Sequence, residues 1–290
     1  MKKINIGGGY DWKVQGWHTL DNAPLKKKLN NYQFHGKCWD SNLKHNDYDI
    51  LFTSHTLEHV PHYRLEKTMY EFNRILKLNG TIRIVVPSLQ KAAMAYIKKN
   101  KNFFKNSAHY SDHMGVGASF VRLIVSPGSQ SILFSREMDE YFGGYAHLNA
   151  FDFQMLKTLL EKWGFGNIRE SVPGKSKLKE LRDYQHIILN GKKYLTGQPN
   201  FNKLNIKETD DFYFSGFDKK RSDQLIVEAE KKKQVKYSIN KEFNFYNKGR
   251  DLSIIFMIKI YLFRFISYFI DNLYLLFKFF KITNIVKTIL

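Results

Sequence analysis

The segment HTLEH, residues 55–59, contains the residue types that most directly suggest chemistry. It matches H-x-x-E-H, the inverted zinc-hydrolase spacing, in which two histidines bind the ion and the carboxylate acts as a base. Such a site needs the segment inside one helix, so that both imidazoles reach one metal ion. Here the segment follows the apolar run 48–53 and leads into Pro61, so only its second half can be helical. A zinc hydrolase is therefore a minor alternative, and no metal is expected.

Three consecutive glycines, Gly7–Gly9, follow a short apolar stretch that contains Ile4 and Ile6. Glycines directly after a strand let the backbone turn sharply and approach a ligand without a Cβ clash. A nicotinamide fingerprint, G-x-G-x-x-G, would need a glycine at position 12, where the chain has Trp12. The phosphate-binding pattern G-x-x-x-x-G-K-[ST] is absent from the sequence as well. The glycine run therefore favours a ligand that carries no phosphate.

Two acids follow the next two candidate strands. Asp21 ends the segment 17–20, where a carboxylate can accept hydrogen bonds from both hydroxyls of a ribose. The alternative is a solvated turn aspartate, because Asn22 and Pro24 follow it. Asp40 lies where a third strand would end, and its carboxylate could accept a hydrogen bond from an adenine amino group.

A strand, a helix and a second strand surround the HTLEH segment. The run 48–53 has the length of a buried strand, and residues 63–77 have an apolar face with helical spacing. Asn79 and Gly80 are expected to end that helix, and the run 81–86 is the next strand. This order is a βαβ unit, which predicts a parallel sheet covered by helices.

The same alternation returns in the second half of the chain. Asp152 predicts the N-cap of a helix that ends at Gly164. Candidate strands follow at 167–172 and 224–229. Residues 190–220 have no helical periodicity and are interpreted as an inserted loop.

In their order and spacing, these motifs resemble those of the class I S-adenosylmethionine-dependent methyltransferases, in particular a small subgroup found in surface-polysaccharide biosynthesis. The matching motifs are, in chain order, INIGGG (4–9), GWHTLD (16–21), YDIL (48–51), HTLEH (55–59), RILKLNG (74–80), VVP (85–87), WGF (163–165) and LIVEA (225–229). The resemblance covers roughly residues 1–232. Each motif alone is weak, and their combination is specific.

The resemblance implies a fold, a cofactor and a set of binding residues. The fold is α/β: a doubly wound, Rossmann-like, mostly parallel seven-stranded sheet with an antiparallel last strand, in a domain spanning residues 1–235. The cofactor is S-adenosylmethionine. The residues assigned to it are Asn5, Gly7, Gly8, Gly9, Asp21, Asp40, Ser54 and His55. Asn5 departs from the acid that many members have there, although asparagine is familiar in the subgroup.

Three histidines are candidates for removing a proton from the methyl acceptor: His55, His59 and His147. Methyl transfer is an in-line displacement, so the protein's main task is to align the two reactants. A hydroxyl acceptor also needs a base, and histidine suits that role near neutral pH. For His59 the alternative is a structural role, bonded to a carbonyl or to Glu58. The segment 89–150 is expected to form a lid over the acceptor.

Composition narrows the classes of protein further. The formal charge of +19 comes mostly from dispersed lysines, and arginine, the usual base reader, is scarce, so no nucleic acid is expected as a partner. The single cysteine, Cys38, excludes an internal disulfide and fits a reducing cytoplasm. The first residues contain no apolar run typical of a signal peptide, so none is expected.

The C-terminal tail, residues 251–290, differs in kind from the rest. It is strongly apolar, yet charges such as Lys259 and Arg264 interrupt it, so no run is long enough to span a bilayer. The charges share one side of a helical wheel, which predicts an amphipathic helix, or two, after a linker at 236–250. Such a helix either lies on a membrane surface or packs on protein.

The leading hypothesis is a cytoplasmic methyltransferase that acts on a sugar, a glycolipid or another surface-glycan precursor. The runner-up is a non-catalytic Rossmann-like scaffold at a membrane surface, and the zinc hydrolase ranks third. The expected partners are a small-molecule or lipid-linked glycan acceptor and, through residues 251–290, the inner membrane surface. The sequence leaves the oligomeric state open.

Overall fold

Two sheets and five α-helices make up the described part of the chain. The computed structural model describes residues 1–23, 29–105, 114–125, 147–197, 204–207 and 209–237. The strands are β1 (Lys3–Ile6), β2 (Trp17–Asp21), β3 (Gln33–His35), β4 (Tyr48–Ser54), β5 (Leu76–Pro87), β6 (Phe165–Ser171), β7 (His186–Leu189), β8 (Lys192–Leu195), β9 (Phe212–Ser215) and β10 (Gln224–Lys231). The helices are α1 (Leu65–Ile75), α2 (Leu89–Ile97), α3 (Lys101–Lys105), α4 (Gly115–Ile124) and α5 (Phe153–Lys162). They belong to one compact unit, Met1–Tyr237.

The larger sheet has the strand order β3-β2-β1-β4-β5-β10-β6. β1 pairs in parallel with β2 and with β4, and the pairs β2–β3 and β4–β5 are parallel as well. β10 runs antiparallel to both of its neighbours. The chain thus moves outwards from β1 on one side, then returns and moves outwards on the other. The predicted doubly wound, mostly parallel seven-stranded sheet with an antiparallel last strand is confirmed.

The two faces of this sheet are covered by different elements. Helices α1 and α5 pack on one face, where their buried residues include Phe72 and Leu156. An aromatic cluster with Trp12 and Trp17 packs on the other face. Neighbouring residues of a strand point to opposite faces, as the alternation of Leu51 and Phe52 between the two clusters requires. No helix in the described ranges is long and apolar enough to cross a membrane.

The segment 190–220, expected to be an inserted loop, contains two strands. β8 and β9 flank β7 in a three-stranded antiparallel sheet. β9 also meets the glycine-turn region, because the Phe214 amide donates to the Asp11 carbonyl and the Lys13 amide donates to the Phe214 carbonyl. Buried Trp12 donates from its indole to the Gly216 carbonyl at 2.9 Å. The loop interpretation was wrong because strands need no helical periodicity, and the short aromatic run of β9 was not recognised as a strand.

The helix boundaries follow the predicted caps in one case and not in the other. The Asp152 side chain accepts from the Met155 amide at 2.7 Å, so the predicted N-cap of α5 is confirmed. Helix α1, in contrast, ends at Ile75 and not at Asn79. Asn79 has the expected left-handed φ of 62°, but it lies inside β5, where the pairing with β4 shifts register. The left-handed residue therefore shapes a bulge.

Part of the predicted acceptor lid is described. Helices α2, α3 and α4 share a small apolar core around Phe104 and Leu123. The remaining lid residues, 106–113 and 126–146, lie outside the described residues, and so does the tail at 251–290.

Candidate functional site

A crevice opens at the carboxyl ends of β1, β2 and β4, where the strand order reverses direction. Open parallel sheets bind their ligands at this position. Of the predicted site residues, the crevice brings together Gly7, Asp21, His55 and His59. Its full lining is Ile6, Gly7, Leu20, Asp21, Asn22, Gly36, Lys37, Cys38, Trp39, His55, Thr56, His59, Val60 and Pro61.

The glycine turn is packed so closely that two of its glycines have no room for a side chain. Gly7 has a φ of 80°, and a Cβ there would lie 2.1 Å from Thr56 Oγ1. A Cβ on Gly8 would lie 2.2 Å from Asn5 Nδ2. Gly9, with a φ of 72°, has no atom within 4 Å of the equivalent point. The turn therefore packs tightly on β1 and the segment after β4, and presents open space at Gly9.

Asp21 holds the glycine turn against the end of β2. Its Oδ2 accepts from the Gly9 amide and its Oδ1 accepts from the Ala23 amide, both at 2.7 Å. The Tyr10 hydroxyl lies 3.0 Å from the Asp21 and Ala23 carbonyl oxygens and 2.6 Å from His35 Nδ1. Burial, with the Asp21 carboxylate beside it, raises the pKa of Tyr10 to about 12. Asp21 is thus an organised acceptor rather than a solvated turn residue.

Asn5 and Ser54 lie on the neighbouring strands β1 and β4, behind the crevice lining. Asn5 is 2% exposed, and its Oδ1 has no hydrogen-bond partner. The buried Ser54 Oγ has none either. Buried polar atoms are normally paired, so these two retain hydrogen-bonding capacity at adjacent strand ends.

Asp40 lies outside the crevice, contrary to the position expected for it. β3 ends at His35, so Asp40 follows a separate turn in which its amide donates to the Lys37 carbonyl. Its side chain is 67% exposed and lies 3.8 Å from Lys67 Nζ. The expectation of a strand end at Asp40 was wrong because β3 is short and ends earlier. Trp39, its neighbour, lines the crevice instead.

His55 is fixed by hydrogen bonds at both ring nitrogens. Nδ1 lies 3.0 Å from Glu58 Oε1, and Nε2 lies 3.1 Å from the Gln224 side-chain nitrogen. A carboxylate only accepts, so the proton is on Nδ1 and Nε2 accepts from the Gln224 amide. Burial and the nearby Lys219 charge lower the pKa of His55 to about 4. His55 is therefore a neutral, fully engaged side chain near neutral pH, held with a φ of 51°.

Glu58 is the buried carboxylate around which the histidines gather. It belongs to a single 3₁₀ turn, Leu57–His59, so the predicted restriction of helix to the second half of HTLEH is confirmed. Burial alone would raise the pKa of Glu58, but the hydrogen bond from His55 and electrostatic interactions with His55, His59 and His147 lower it to about 2. Glu58 is therefore ionised, and its Oε2 has no hydrogen-bond partner.

His59 and His147 meet beside this carboxylate. His59 Nε2 lies 4.0 Å from Glu58 Oε1, and the two imidazole rings are 5.0 Å apart, edge to face. His147 Nδ1 donates to the Leu123 carbonyl at 2.6 Å. Burial lowers the pKa of His147, although the Glu58 carboxylate opposes that effect. The three candidate histidines therefore surround one carboxylate, while only His55 and His59 line the crevice.

Two residues near the histidines were not predicted from the sequence. Gln224, at the start of β10, reaches His55 from the far end of the chain. Lys219 interacts electrostatically with His55 and Glu58, and burial together with Arg221 lowers its pKa to about 8. Neither residue belongs to a recognisable motif, and Lys219 lies in the segment that was interpreted as a loop. A sequence signal for either position was lacking.

No family model and no curated protein matches the sequence. Several solved structures do. A SAM-dependent methyltransferase from Thermotoga maritima, described as a possible histamine N-methyltransferase, is 13% identical with a TM-score of 0.36, over 79% of this chain and 82% of that chain. A SAM-dependent methyltransferase from Methanosarcina mazei is 11% identical with a TM-score of 0.38, over 79% and 92%.

A third match has a bound cofactor and shares less of its length. Phosphoethanolamine N-methyltransferase 2 from Haemonchus contortus, in complex with S-adenosyl-L-methionine, is 13% identical with a TM-score of 0.32. The match covers 59% of this chain and 35% of that chain. At these identities and TM-scores the matches carry no argument about activity, and the fold assignment rests on strand order and register. They give no support to the surface-polysaccharide subgroup.

Proposed function

We propose that this chain is a class I methyltransferase that uses S-adenosylmethionine. The observation that carries the proposal is the hydrogen bond from the Gly9 amide to Asp21. It joins the glycine turn after β1 to the end of β2, beside the topological switch point of the sheet. Doubly wound sheets bind nucleoside ligands at this point. The turn lacks both the nicotinamide and the phosphate-binding signatures, which favours a nucleoside without phosphate.

The crevice residues fit the parts of this cofactor. Each Asp21 oxygen accepts one backbone N–H, and a carboxylate has about four acceptor sites, so capacity remains for ribose hydroxyls. Trp39 and Val60 offer apolar surface for an adenine ring. The unpaired Asn5 Oδ1 and Ser54 Oγ are suited to the polar amino-acid end. Gly9 leaves open space into which a ligand can extend.

The chain's own residues would align the reactants and take up a proton. When bound, S-adenosylmethionine supplies an electrophilic methyl group on a sulfonium. We assign proton removal from a hydroxyl acceptor to Glu58, His59 and His147, because His59 lines the crevice and the other two adjoin it. His55 is assigned a positioning role, since both of its nitrogens are already engaged.

The acceptor we propose is a sugar, a glycolipid or another surface-glycan precursor. Two features of the sequence support it: the resemblance to the polysaccharide-associated subgroup, and the apolar, lysine-containing tail at 251–290. A tail of that composition would hold the enzyme at a membrane surface near a lipid-linked acceptor. The domain limits 1–235, the linker 236–250 and the lid role of 89–150 belong to the same proposal.

Calorimetry with S-adenosylmethionine and S-adenosylhomocysteine tests the cofactor. We expect micromolar binding of both by the wild-type chain and loss of binding in Gly9→Arg, because Gly9 has a φ of 72° in the turn that Asp21 holds and its amide donates to Asp21. Gly191→Arg is the matched control, because Gly191 has a φ of 77° and open space, but lies in the β7–β8 hairpin. Absence of binding to both compounds, with the wild-type chain folded, would refute the proposal.

Two further experiments test the acceptor and the tail. Incubation with a labelled methyl donor and a panel of sugars, glycolipids and small amines is expected to label the glycan class. Labelling of amines alone would refute that class while leaving methyl transfer intact. Co-sedimentation with anionic liposomes compares the full chain with a chain that ends at residue 250. Equal pelleting of the two would exclude membrane binding by the tail.

A further inference from the structure

Two imidazoles and one carboxylate converge beside the crevice. The ligand atoms of Glu58, His59 and His147 all lie within 4.8 Å of one another. Among the described residues, no other group of three or more potential metal ligands lies this close together. Two histidines with one carboxylate form the donor set of many catalytic zinc sites, which keep a fourth position for water or substrate. Imidazole donors favour zinc and related transition metals over Mg²⁺ or Ca²⁺.

We propose that Glu58, His59 and His147 bind a divalent transition-metal ion, with Zn²⁺ as the representative. Tetrahedral ligands at about 2.1 Å from zinc lie about 3.4 Å apart, so the three atoms would approach one another by at most about 1.4 Å. Side-chain rotation can provide a movement of this size. With the ion bound, His59 and His147 would serve as its ligands and not as bases for the acceptor. The proposal concerns metal binding, and it stands whether or not the chain transfers methyl groups.

Hydrogen bonds hold the segment after His147 against the turn that carries Glu58 and His59. The Glu58 carbonyl accepts from the Leu148 amide at 2.6 Å and from the Asn149 amide at 3.2 Å. The Asn149 side-chain nitrogen donates to the Val60 carbonyl at 2.5 Å, and its Oδ1 lies 2.9 Å from His62 Nδ1. His147 is thus fixed next to the 3₁₀ turn that carries the other two ligands. A site organised by its scaffold loses less entropy when the ion binds.

The orientation of His147 also fits a ligand. Its Nδ1 donates to the Leu123 carbonyl, so in the neutral imidazole Nε2 carries the lone pair. Metal-bound histidines usually donate their other N–H to a carbonyl or a carboxylate in this way. The Leu123 carbonyl, at the end of α4, therefore acts as the partner that selects the coordinating nitrogen.

Glu58 supplies the negative charge of the site. It is fully buried, and its Oε2 has no hydrogen-bond partner, which is costly for a buried carboxyl group. A cation bound by the same carboxylate would offset that cost. The site differs from the H-x-x-E-H hydrolase, because His55 has both nitrogens engaged and is replaced by His147 from a distant segment. Since His59 lines the crevice, the ion would border the site where an acceptor oxygen binds.

Zinc binding by the full chain is the direct test. Metal is removed with a chelator, and Zn²⁺ is titrated in competition with a chromophoric chelator. We expect one Zn²⁺ per chain in the wild type and at least about 100-fold weaker binding in His59→Ala and His147→Ala, because even losing a ligand's supporting residue costs 10- to 100-fold. His45→Ala, an exposed histidine outside the cluster, should bind as the wild type does.

Two controls keep the result interpretable. His59 is 18% exposed, so His59→Gln provides a mild variant should His147→Ala fail to fold. Binding of S-adenosylmethionine is measured on the same preparations, which separates failure of this proposal from failure of the proposed function. Co²⁺ should give the visible absorption of a four-coordinate site in the wild type and in His45→Ala only. Absence of tight Zn²⁺ binding, or equal binding by the wild type and both histidine variants, would overturn the proposal.

Discussion

The two sides of the crevice are built by different means. On the side of β1 and β2, backbone conformation forms the site: Gly7 and Gly9 take left-handed φ values, and Asp21 accepts from backbone amides. On the side of β4, side chains form it: His55 and His59 line the crevice and, with His147 behind them, gather around Glu58. The first side uses residues close in sequence. The second depends on His147, which lies far along the chain from Glu58.

This difference indicates which change should affect which property. A backbone-built site fails when a side chain is added, because neither the φ angle nor the adjacent packing can adjust. A site built from side chains fails when a side chain is removed, because its partners stay buried and unpaired. Substitutions on the glycine side should therefore affect cofactor binding first. Substitutions on the histidine side should affect turnover first.

Gly7→Ala has the largest expected effect. The new Cβ would lie 2.1 Å from Thr56 Oγ1, at a φ of 80°. Strain and overpacking together should cost about 3 to 5 kcal/mol of unfolding free energy and weaken S-adenosylmethionine binding more than about 100-fold. Urea denaturation and calorimetry measure the two quantities.

Gly191→Ala separates backbone strain from packing in this comparison. Gly191 has a similar φ of 77°, but a Cβ there meets no atom within 4 Å. We expect a loss of only about 1 to 2 kcal/mol, with cofactor affinity unchanged. Equal losses in the two variants would show that the contact with Thr56 has no importance for the site.

Asp21→Ala should have the next largest effect. The substitution removes the acceptor of the Gly9 and Ala23 amides, two charge-assisted hydrogen bonds. We expect S-adenosylmethionine to bind about 10- to 100-fold more weakly. Asp40→Ala is the matched control, since this exposed acid lies outside the crevice and should leave affinity unchanged. A larger effect from Asp40 than from Asp21 would reverse our placement of the two acids.

Gln224→Leu tests the histidine side and has the smallest expected effect. The buried Gln224 amide donates to His55 Nε2, so its loss leaves one ring nitrogen unpaired. We expect about 1 kcal/mol of lost stability and a few-fold lower kcat, with the affinity for S-adenosylmethionine nearly unchanged. A selective loss of cofactor affinity in this variant would contradict the division between the two sides.

Much of the fold was predictable because its signals are local. The apolar runs of β4 and β5, the amphipathic α1 and the Asp152 cap of α5 each depend on residues within a few positions of one another. The glycine turn is of the same kind. Asp40 was placed wrongly because no residue clearly marks the end of β3. The end of α1 was placed wrongly because a left-handed asparagine fits a bulge as well as a helix end.

The inserted segment shows where local signals stop. β8 and β9 are short, and their strand character comes from pairing with β7 and from contact with residues 11–13. The same segment places Lys219 where it interacts electrostatically with His55 and Glu58. Pairing between distant strands leaves no periodicity in a single sequence, so neither the small sheet nor the lysine was predictable.

The alternation of strands and helices, the glycine turn and the acid at the end of β2 could all be read from the amino-acid sequence. Those features follow from backbone conformation and from the spacing of apolar residues, which neighbouring positions dictate. The roles of the residues in the HTLEH segment, in contrast, follow from contacts between distant parts of the fold. His55 is mostly buried and hydrogen-bonded to Glu58 and Gln224. The course of the chain brings His147 next to Glu58 and His59. The chemistry of a buried carboxylate depends on which side chains surround it, and folding alone selects those neighbours.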